Sequence, residues 1–338
     1  MGEVALRFLQ AGLESTKGTG VAATRVLLSR ITNANFDRPR EFVEEDRGTL
    51  VGSQRFNDGV KDYTFTIEGP ANYEQSGWFF ATVGKGSVAA TTINTVAKQY
   101  VYTPQTTAVG DDLQSATVEF GDDTQEFESE YCEGTGFTLG FDTLAVGQAT
   151  PLTMATNYFT QSLTSNTKTA ALTPPTVTSI LATGANVYLG STSTAFGSLA
   201  ELTGSLRSFS LDYQNGLGRK VFVGDGDTYS SLGRGRRVIT FTAMVEGDAA
   251  GVTRFVEWDL GTEKRMRLRF QGGIIAGSSP ATTYKLIVDG RFVLTAFNPL
   301  EAVDTNTVFS IAGRFLPDST ISDSDIQFTL VNLEASYT

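Results

Sequence analysis

Apolar and polar residues alternate with a period of two along most of this chain, the spacing of strands with one face buried. The pattern predicts strands over 23–31, 62–68, 99–103, 115–120, 126–133, 136–141 and 154–161 in the first half. In the second half it predicts them over 206–213, 220–223, 238–246, 264–270, 284–288, 291–296, 308–315 and 326–336. Turn residues punctuate the runs, and Asp289-Gly290 is expected to be a hairpin turn. Only two segments have helical spacing. In ANYEQSGWFFATVG, Asn72 is placed to cap and Gln75 sits at the capping-box position. In DAAGVTRFVEWDL, Asp248 is placed to cap, and Val252, Phe255, Val256 and Leu260 form one apolar stripe. Helices this short need a sheet to pack against, so the stripe is expected to face one.

The two helices stand in matching contexts. YTFTIEG (63–69) precedes the first, and ITFTAMVEG (239–247) precedes the second. In each half the order is strand, long loop, strand, helix, then about four strands. This predicts a tandem duplication of one mainly β (α+β) unit, with units at 1–165 and 179–338. The Thr/Ser-rich stretch 166–178, stiffened by Pro174-Pro175, reads as the linker.

Composition narrows the chemistry. A length of 338 residues fits two cores of ordinary size. No run of ~18 apolar residues is present, so no helical membrane segment is expected, and the N-terminus does not read as a signal peptide. The single cysteine, Cys132, excludes an intrachain disulfide and is expected to be an inert buried residue. The chain has no histidine, which removes Ser-His and Cys-His nucleophile pairs and His-ligated zinc. GKGS (84–87), GLGRKVFVG (216–224), GDGD (224–227) and DSTISDSD (318–325) fall short of phosphate, dinucleotide or calcium loops and read as turns. No catalytic, cofactor-binding or metal-binding residue is expected. A hydrolase using a carboxylate pair is the remaining enzymatic reading.

Charge is distributed unevenly. The net charge is −11, and residues 99–167 contain no Lys or Arg but ten acids: Asp111, Asp112, Glu119, Asp122, Asp123, Glu126, Glu128, Glu130, Glu133 and Asp142. In TQEFESEYCE, Glu126, Glu128 and Glu130 recur every second residue, which puts them on one face of a strand. Its opposite is EKRMRLRF, with Arg265, Arg267 and Arg269 on one face. Rows of like charge gain little inside a monomer. Each face is therefore either solvated or turned to a partner, the acidic row to a channel or subunit seam and the basic row to another subunit. GRGRR (233–237) is a loop expected to contact another subunit. The long segment 35–59 sets Phe36, Phe42 and Phe56 among Arg38, Arg40 and Arg47, as an interlocking arm would.

The order of these elements resembles the major tail tube proteins of long-tailed, non-contractile bacteriophages. The resemblance lies in LTGSLRSFSLDYQNGLGRKVFVGDG…GRGRRVITFTAMVEGDAAGVTRFVEW and in ATRVLLSRI…EFVEEDRGTLVGSQ…KDYTFTIEGPANYEQSGWFF. The joining stretch FTLGFDTLAVGQATPLT…LTPPTVTSILATGANVYLG is similar too. It implies two β-sandwich units, each with a flanking helix and a long extended loop. It further implies copies closing into rings through continuous sheets, and rings stacking through loops and arms around an acidic channel for DNA. A two-unit member implies a trimer with pseudo-sixfold symmetry, with a hexamer as the alternative. Expected neighbours are the tape measure, tail tip and terminator proteins, in a virion tail assembled in the host cytoplasm. DNA would pass without specific binding. The competing reading is a tail-tip or capsid-associated module that binds a receptor or glycan.

Overall fold

A computed structural model describes residues 6–50, 52, 55–86, 88–107, 113–142, 149–204, 206–303 and 306–337. Asp111 and Asp112 of the acidic stretch and parts of the 35–59 arm lie outside the described residues. The fold is mainly β. The first half runs β1 (Phe8–Leu13), β2 (Arg25–Val26), β3 (Arg30–Asp37), β4 (Arg40–Val43), β5 (Arg55–Asp58), β6 (Asp62–Pro70), α1 (Ser76–Val83), β7 (Thr91–Ile93), β8 (Ala97–Tyr102), β9 (Ala116–Gly121), β10 (Glu126–Phe141), β11 (Thr153–Phe159) and β12 (Thr164–Ser165). The second half runs β13 (Ala185–Ser191), β14 (Ala200–Glu201), β15 (Leu206–Gln214), β16 (Leu217–Lys220), β17 (Ser231–Arg234), β18 (Val238–Glu246), α2 (Ala249–Asp259), β19 (Lys264–Ile274), β20 (Thr283–Val303), β21 (Asn306–Leu316) and β22 (Gln327–Asn332). Among the described residues no helix is long and apolar enough to cross a membrane.

The ladders organise these strands into one long shared sheet and two smaller cover sheets. The shared sheet has the order β3-β6-β11-β10-β15-β18-β21-β20, antiparallel throughout. The first cover sheet joins β2, β1, β9, the N-terminal part of β10, and β12. The second joins β14, β13, β19, the N-terminal part of β20, β22, β8 and β7. Traced pair by pair, no described ladder closes the path on itself. β10 and β20 each begin in a cover sheet and continue into the shared sheet. β10 bends at a bulge between Ser129 and Cys132, where Tyr131 takes a positive φ of 53°.

Each ladder of the first half except those of the β7–β8 insertion has a counterpart in the second. β1–β2 matches β13–β14, β3–β6 matches β15–β18, β4–β5 matches β16–β17, and β6–β11 matches β18–β21. The ladders of β9, β11 and β12 with β10 match those of β19, β21 and β22 with β20. The two halves nonetheless share one hydrophobic core, because β10 and β15 pair directly from Gly136–Gln214 to Phe141–Phe209. Across that joint Phe137 stacks on Tyr213 with ring centroids 5.0 Å apart, and Phe137 also meets Phe80 and Phe328.

Three local expectations are corrected. Asp289-Gly290 is not a turn: β20 runs straight through it. Asp289 is buried and accepts two hydrogen bonds from Arg267 at 2.7 Å. Gly290 lies under the Phe315 ring, where a Cβ would clash. The predicted strand at 23–31 is interrupted, with only Arg25–Val26 and the start of β3 in ladders. The α2 stripe faces away from the sheet. Asp248 does cap this helix, accepting from the Gly251 amide at 2.9 Å, but Gly251 and Glu257 are the buried residues, while Val252, Phe255, Val256 and Leu260 are exposed. At α1 the Asn72 side chain accepts from the Gln75 amide at 2.7 Å, and regular helix begins at Ser76.

Phe137 carries the joint between the halves, so Phe137→Ala is expected to cost about 3–5 kcal/mol in denaturant unfolding, the range for deleting a buried aromatic. A loss under about 1 kcal/mol would show that the joint does not depend on this ring.

Candidate functional site

The eight-stranded shared sheet has one broad solvent-facing side. Its residues follow from alternation. Phe65 and Ile67, Phe209, Leu211 and Tyr213, and Ile239, Phe241 and Ala243 point into the core. The intervening positions therefore share the other face. One row, read across the register, is Arg30, Glu68, Ala155, Thr138, Asp212, Thr240, Arg314 and Val293. The next is Pro70, Thr153, Gly140, Ser210, Thr242, Ala312 and Ala296. Small hydroxyl and methyl side chains dominate. Charges of both signs, Arg30, Glu68, Asp212 and Arg314, interrupt the first row and balance one another; Arg30 is paired with Glu68 at 3.6 Å, and Asp62 at the edge of this face with Arg219 of β16 at 2.5 Å.

Two hairpins rise from the same end of this sheet, since β3 and β15 run parallel and each leads into one. The β4–β5 hairpin exposes Phe42 and Phe56, which pack on each other at 6.0 Å, with the Arg40 guanidinium 5.3 Å from the Phe56 ring. The segment between β16 and β17 exposes Val221, Phe222 and Val223. Asp227 ties the two together, meeting Arg38 at 3.1 Å and Lys61 at 2.9 Å. Arg40 pairs with Asp58, and Arg47 with Glu45. Phe36 behaves differently from the other aromatics of the arm. It belongs to the core, stacked on Phe120 at 5.9 Å.

The acidic row lies elsewhere. Glu126, Glu128 and Glu130 sit on the cover-sheet part of β10, not on the shared sheet, and their partners are in the same chain. Lys168 donates its backbone amide to Glu126 at 2.9 Å and pairs with it through Nζ at 3.0 Å. These bonds hold the Glu126 carboxyl below its usual range. Asn166 donates to Glu128 at 2.9 Å. Glu119, opposite Glu128 in register, is buried and accepts from the Thr169 amide and hydroxyl, both at 2.7 Å, and from Gln10 at 2.6 Å. The row thus holds the 166–169 end of the linker against the first half. Glu130 is pushed up by burial, and by Glu128 and Glu14 close by.

Arg265, Arg267 and Arg269 are likewise engaged within the chain. Arg265 and Asp318 form a buried bidentate pair at 2.6 and 2.8 Å. Arg267 pairs with Asp289, as described. Arg269 meets no carboxylate among the described residues; its guanidinium donates to Asn186 at 3.2 Å and sits 5.0 Å from the Tyr188 ring. Burial pushes the Asp318 carboxyl up, but the bonds from Arg265 and Thr320 outweigh it and the net direction is down. Of the GRGRR loop, Arg237 donates its Nε–H to both Asp325 oxygens, at 2.8 and 3.0 Å, while Arg236 is exposed. Sequence reasoning could place these charges on a face. It could not find the acceptors, which are distant in sequence, or the linker's backbone donors, which have no side-chain signature.

An open cleft of about 600 Å³ runs between β6, β11 and the start of β16. Its lining is Thr64, Thr66, Thr135, Asn33, Asn157 and Arg219 with aromatic neighbours, and it offers no carboxylate pair among the described residues. No group of three or more His, Cys, Asp and Glu side chains among the described residues is arranged to hold a metal. Cys132 is fully buried, donates to the Ser129 carbonyl at 3.3 Å, and has its thiol pushed up by burial.

Two outcomes follow for this charge network. Glu126→Gln is expected to loosen the linker and speed tryptic cleavage after Lys168 several-fold at neutral pH; unchanged cleavage would mean that the carboxylate does not hold it. Asp318 and Glu126 have folded pKa values below their ordinary values of 3.8 and 4.5. Their stabilisation is therefore complete above those values and lost as pH falls through the folded ones. Asp318→Asn should lower stability at neutral pH by about 3–5 kcal/mol, the cost of stranding a buried charge, and flatten the acid limb of the Tm profile. A parallel downward shift, with the acid limb unchanged, would contradict this.

No protein-family model matches the chain, and no curated protein matches it.

Proposed function

We propose that the protein is a structural subunit of a phage tail tube, self-assembling into stacked rings whose inner wall is the shared sheet. The observation that carries this is the joint between β10 and β15. There a strand of the first half pairs, through its free edge, with the first shared-sheet strand of the second half. The corresponding edges at the two ends of the sheet, on β3 and on β20 beyond Phe292, pair with nothing among the described residues. Long exposed edges are aggregation templates unless something covers them. The strands alternate in direction along the sheet, so β20 of one copy meets β3 of the next in the antiparallel sense that β10 meets β15. Matching ladders in the two halves support reading the chain as an internal duplication, and the repeated joint then closes a ring.

Size favours three copies. Each chain brings eight strands, spaced ~4.8 Å apart, so two copies close to a wall only about 24 Å across between backbones, before tilt. Facing side chains take roughly 10 Å of that. Three copies give roughly 37 Å, enough for a double helix, and strand tilt widens it. A wall of threonine, serine, alanine and glycine with few unpaired cations suits DNA that must pass without sticking, since each Lys or Arg contact to phosphate adds salt-dependent affinity. Non-adhesion here comes from charges of both signs that balance, in place of the acidic lining that the resemblance implies. The two hairpins supply contacts between rings, with their exposed apolar residues as the interlocking surface. In this reading the protein resides in the virion tail, between tape measure, tip and terminator proteins.

Negative-stain microscopy and native mass spectrometry of the purified chain test this directly. Hollow tubes or stacked rings built from multiples of three chains are expected; compact oligomers with no channel would overturn it and favour the receptor- or glycan-binding module. Phe222→Ser combined with Val223→Ser is expected to leave single rings but abolish stacking. Tubes of normal length from that variant would remove the hairpin from the ring-to-ring contact.

A further inference from the structure

The two helices occupy matching places after β6 and β18, yet their surroundings are opposite. Every residue of α1 is buried. Part of its cover comes from the other half of the chain. Phe328 of β22 stacks on Phe80 at 4.8 Å, Asn215 donates to the Val83 carbonyl at 3.0 Å, and the Tyr337 ring closes over Gly77. Tyr102, from the β7–β8 insertion, adds a ring 5.5 Å from Phe80.

Among the described residues nothing gives helix α2 such cover. Toward the sheet it presents Gly251 and the half-buried Trp258, with a buried Arg254–Glu257 pair at 2.8 Å that Lys264 joins at 3.0 Å. Toward solvent it presents Val252, Phe255, Val256 and Leu260, which are 53, 44, 47 and 71% exposed. The usual polarity of a surface helix is reversed: the ions are inside and the apolar stripe is outside. Phe255 also packs on Phe297 at 5.5 Å, as Phe80 packs on Phe137 at 5.6 Å. Phe297 lies on β20 within its free edge, beyond Phe292. Phe137, its counterpart through the β10–β11 and β20–β21 registers, is the residue that pairs with Tyr213 across the internal joint. The same comparison makes Phe36 of β3 the counterpart of Tyr213.

We infer that the exposed stripe of α2 is the docking face for a second copy of this chain, covered by the neighbour's first half beside its β3 edge. In that arrangement Phe297 of one copy meets Phe36 of the next as Phe137 meets Tyr213, and α2 becomes as buried as α1. Two observations point to a second copy over an unrelated partner. The stripe is continuous with the unpaired β20 edge, and among the described residues the cover that α1 receives from the second half has no equivalent for α2. The missing insertion does not account for the exposure alone, because Phe328 and Asn215, which cover α1, belong to the other half. This inference deepens the tube reading by naming the surface that joins copies, and it rests on that reading only for the shape of the product.

The test pairs a variant with a measurement on the unaltered chain. Val256→Glu combined with Leu260→Glu changes two exposed residues, and is expected to reduce the assembled fraction at least tenfold in sedimentation while leaving single-chain Tm unchanged. Hydroxyl-radical footprinting of the unaltered chain should show Phe255, Val256 and Leu260 protected in the assembly and reactive in the dissociated chain. Normal tubes from the variant, or equal reactivity in both states, overturn the docking face and leave the tube reading standing. Small channel-free oligomers that the variant dissociates uphold the docking face and overturn the tube reading. A chain that stays single at all concentrations overturns both.

Discussion

The structure depends on one constraint, that the backbone groups along a strand edge must find partners. Inside the chain the constraint is met where β10 leaves its cover sheet, turns through the bulge at Tyr131, and lays Gly136–Phe141 along β15. That ladder makes two similar halves into one body. It allows the Phe137–Tyr213 stack, lets Phe328 reach Phe80, and fuses what would be two cores into one. At the outer ends of the shared sheet, on β3 and on the far part of β20, no described residue meets the same constraint. The proposal of a ring extends to those ends the solution already used in the middle.

The charged strands find partners within the chain itself. The acidic row binds backbone amides and Lys168 of the linker, and the arginine row is matched to Asp318 and Asp289 on neighbouring elements. Such pairs add little net stability compared with apolar packing, but leaving one member unpaired is costly. They therefore fix geometry: where the linker lies, and how β19 sits against β20. With most of the strong charges used internally, the broad face of the shared sheet is left nearly neutral.

Much of the fold was legible in the sequence. Thr64-Phe65-Thr66-Ile67 and Thr240-Phe241-Thr242-Ala243 announce one buried face and one polar face, and the structure places them so. Strand β1 was missed because Gln10 is buried along with Leu9 and Ala11, which blurs the alternation. Asp289-Gly290 imitated a turn because its partner, Arg267, is 22 residues away in sequence. The α2 stripe was found with the right residues and the wrong direction. Periodicity shows that a face is apolar, but what covers the face depends on distant chain, or on another copy. The open face of the shared sheet carries no motif, since threonine and serine at alternate positions mark any solvated strand.

The most direct measurement is amide hydrogen exchange along the two free edges, Ile31–Asp37 and Val293–Asn298, compared between assembled and dissociated protein. If rings close through these edges, amides there that face away from β6 and β21 become as protected on assembly as those joining β10 to β15. If they exchange equally fast in both states while the chain is assembled, copies are held together by some other surface, and closure through a continuous sheet is wrong.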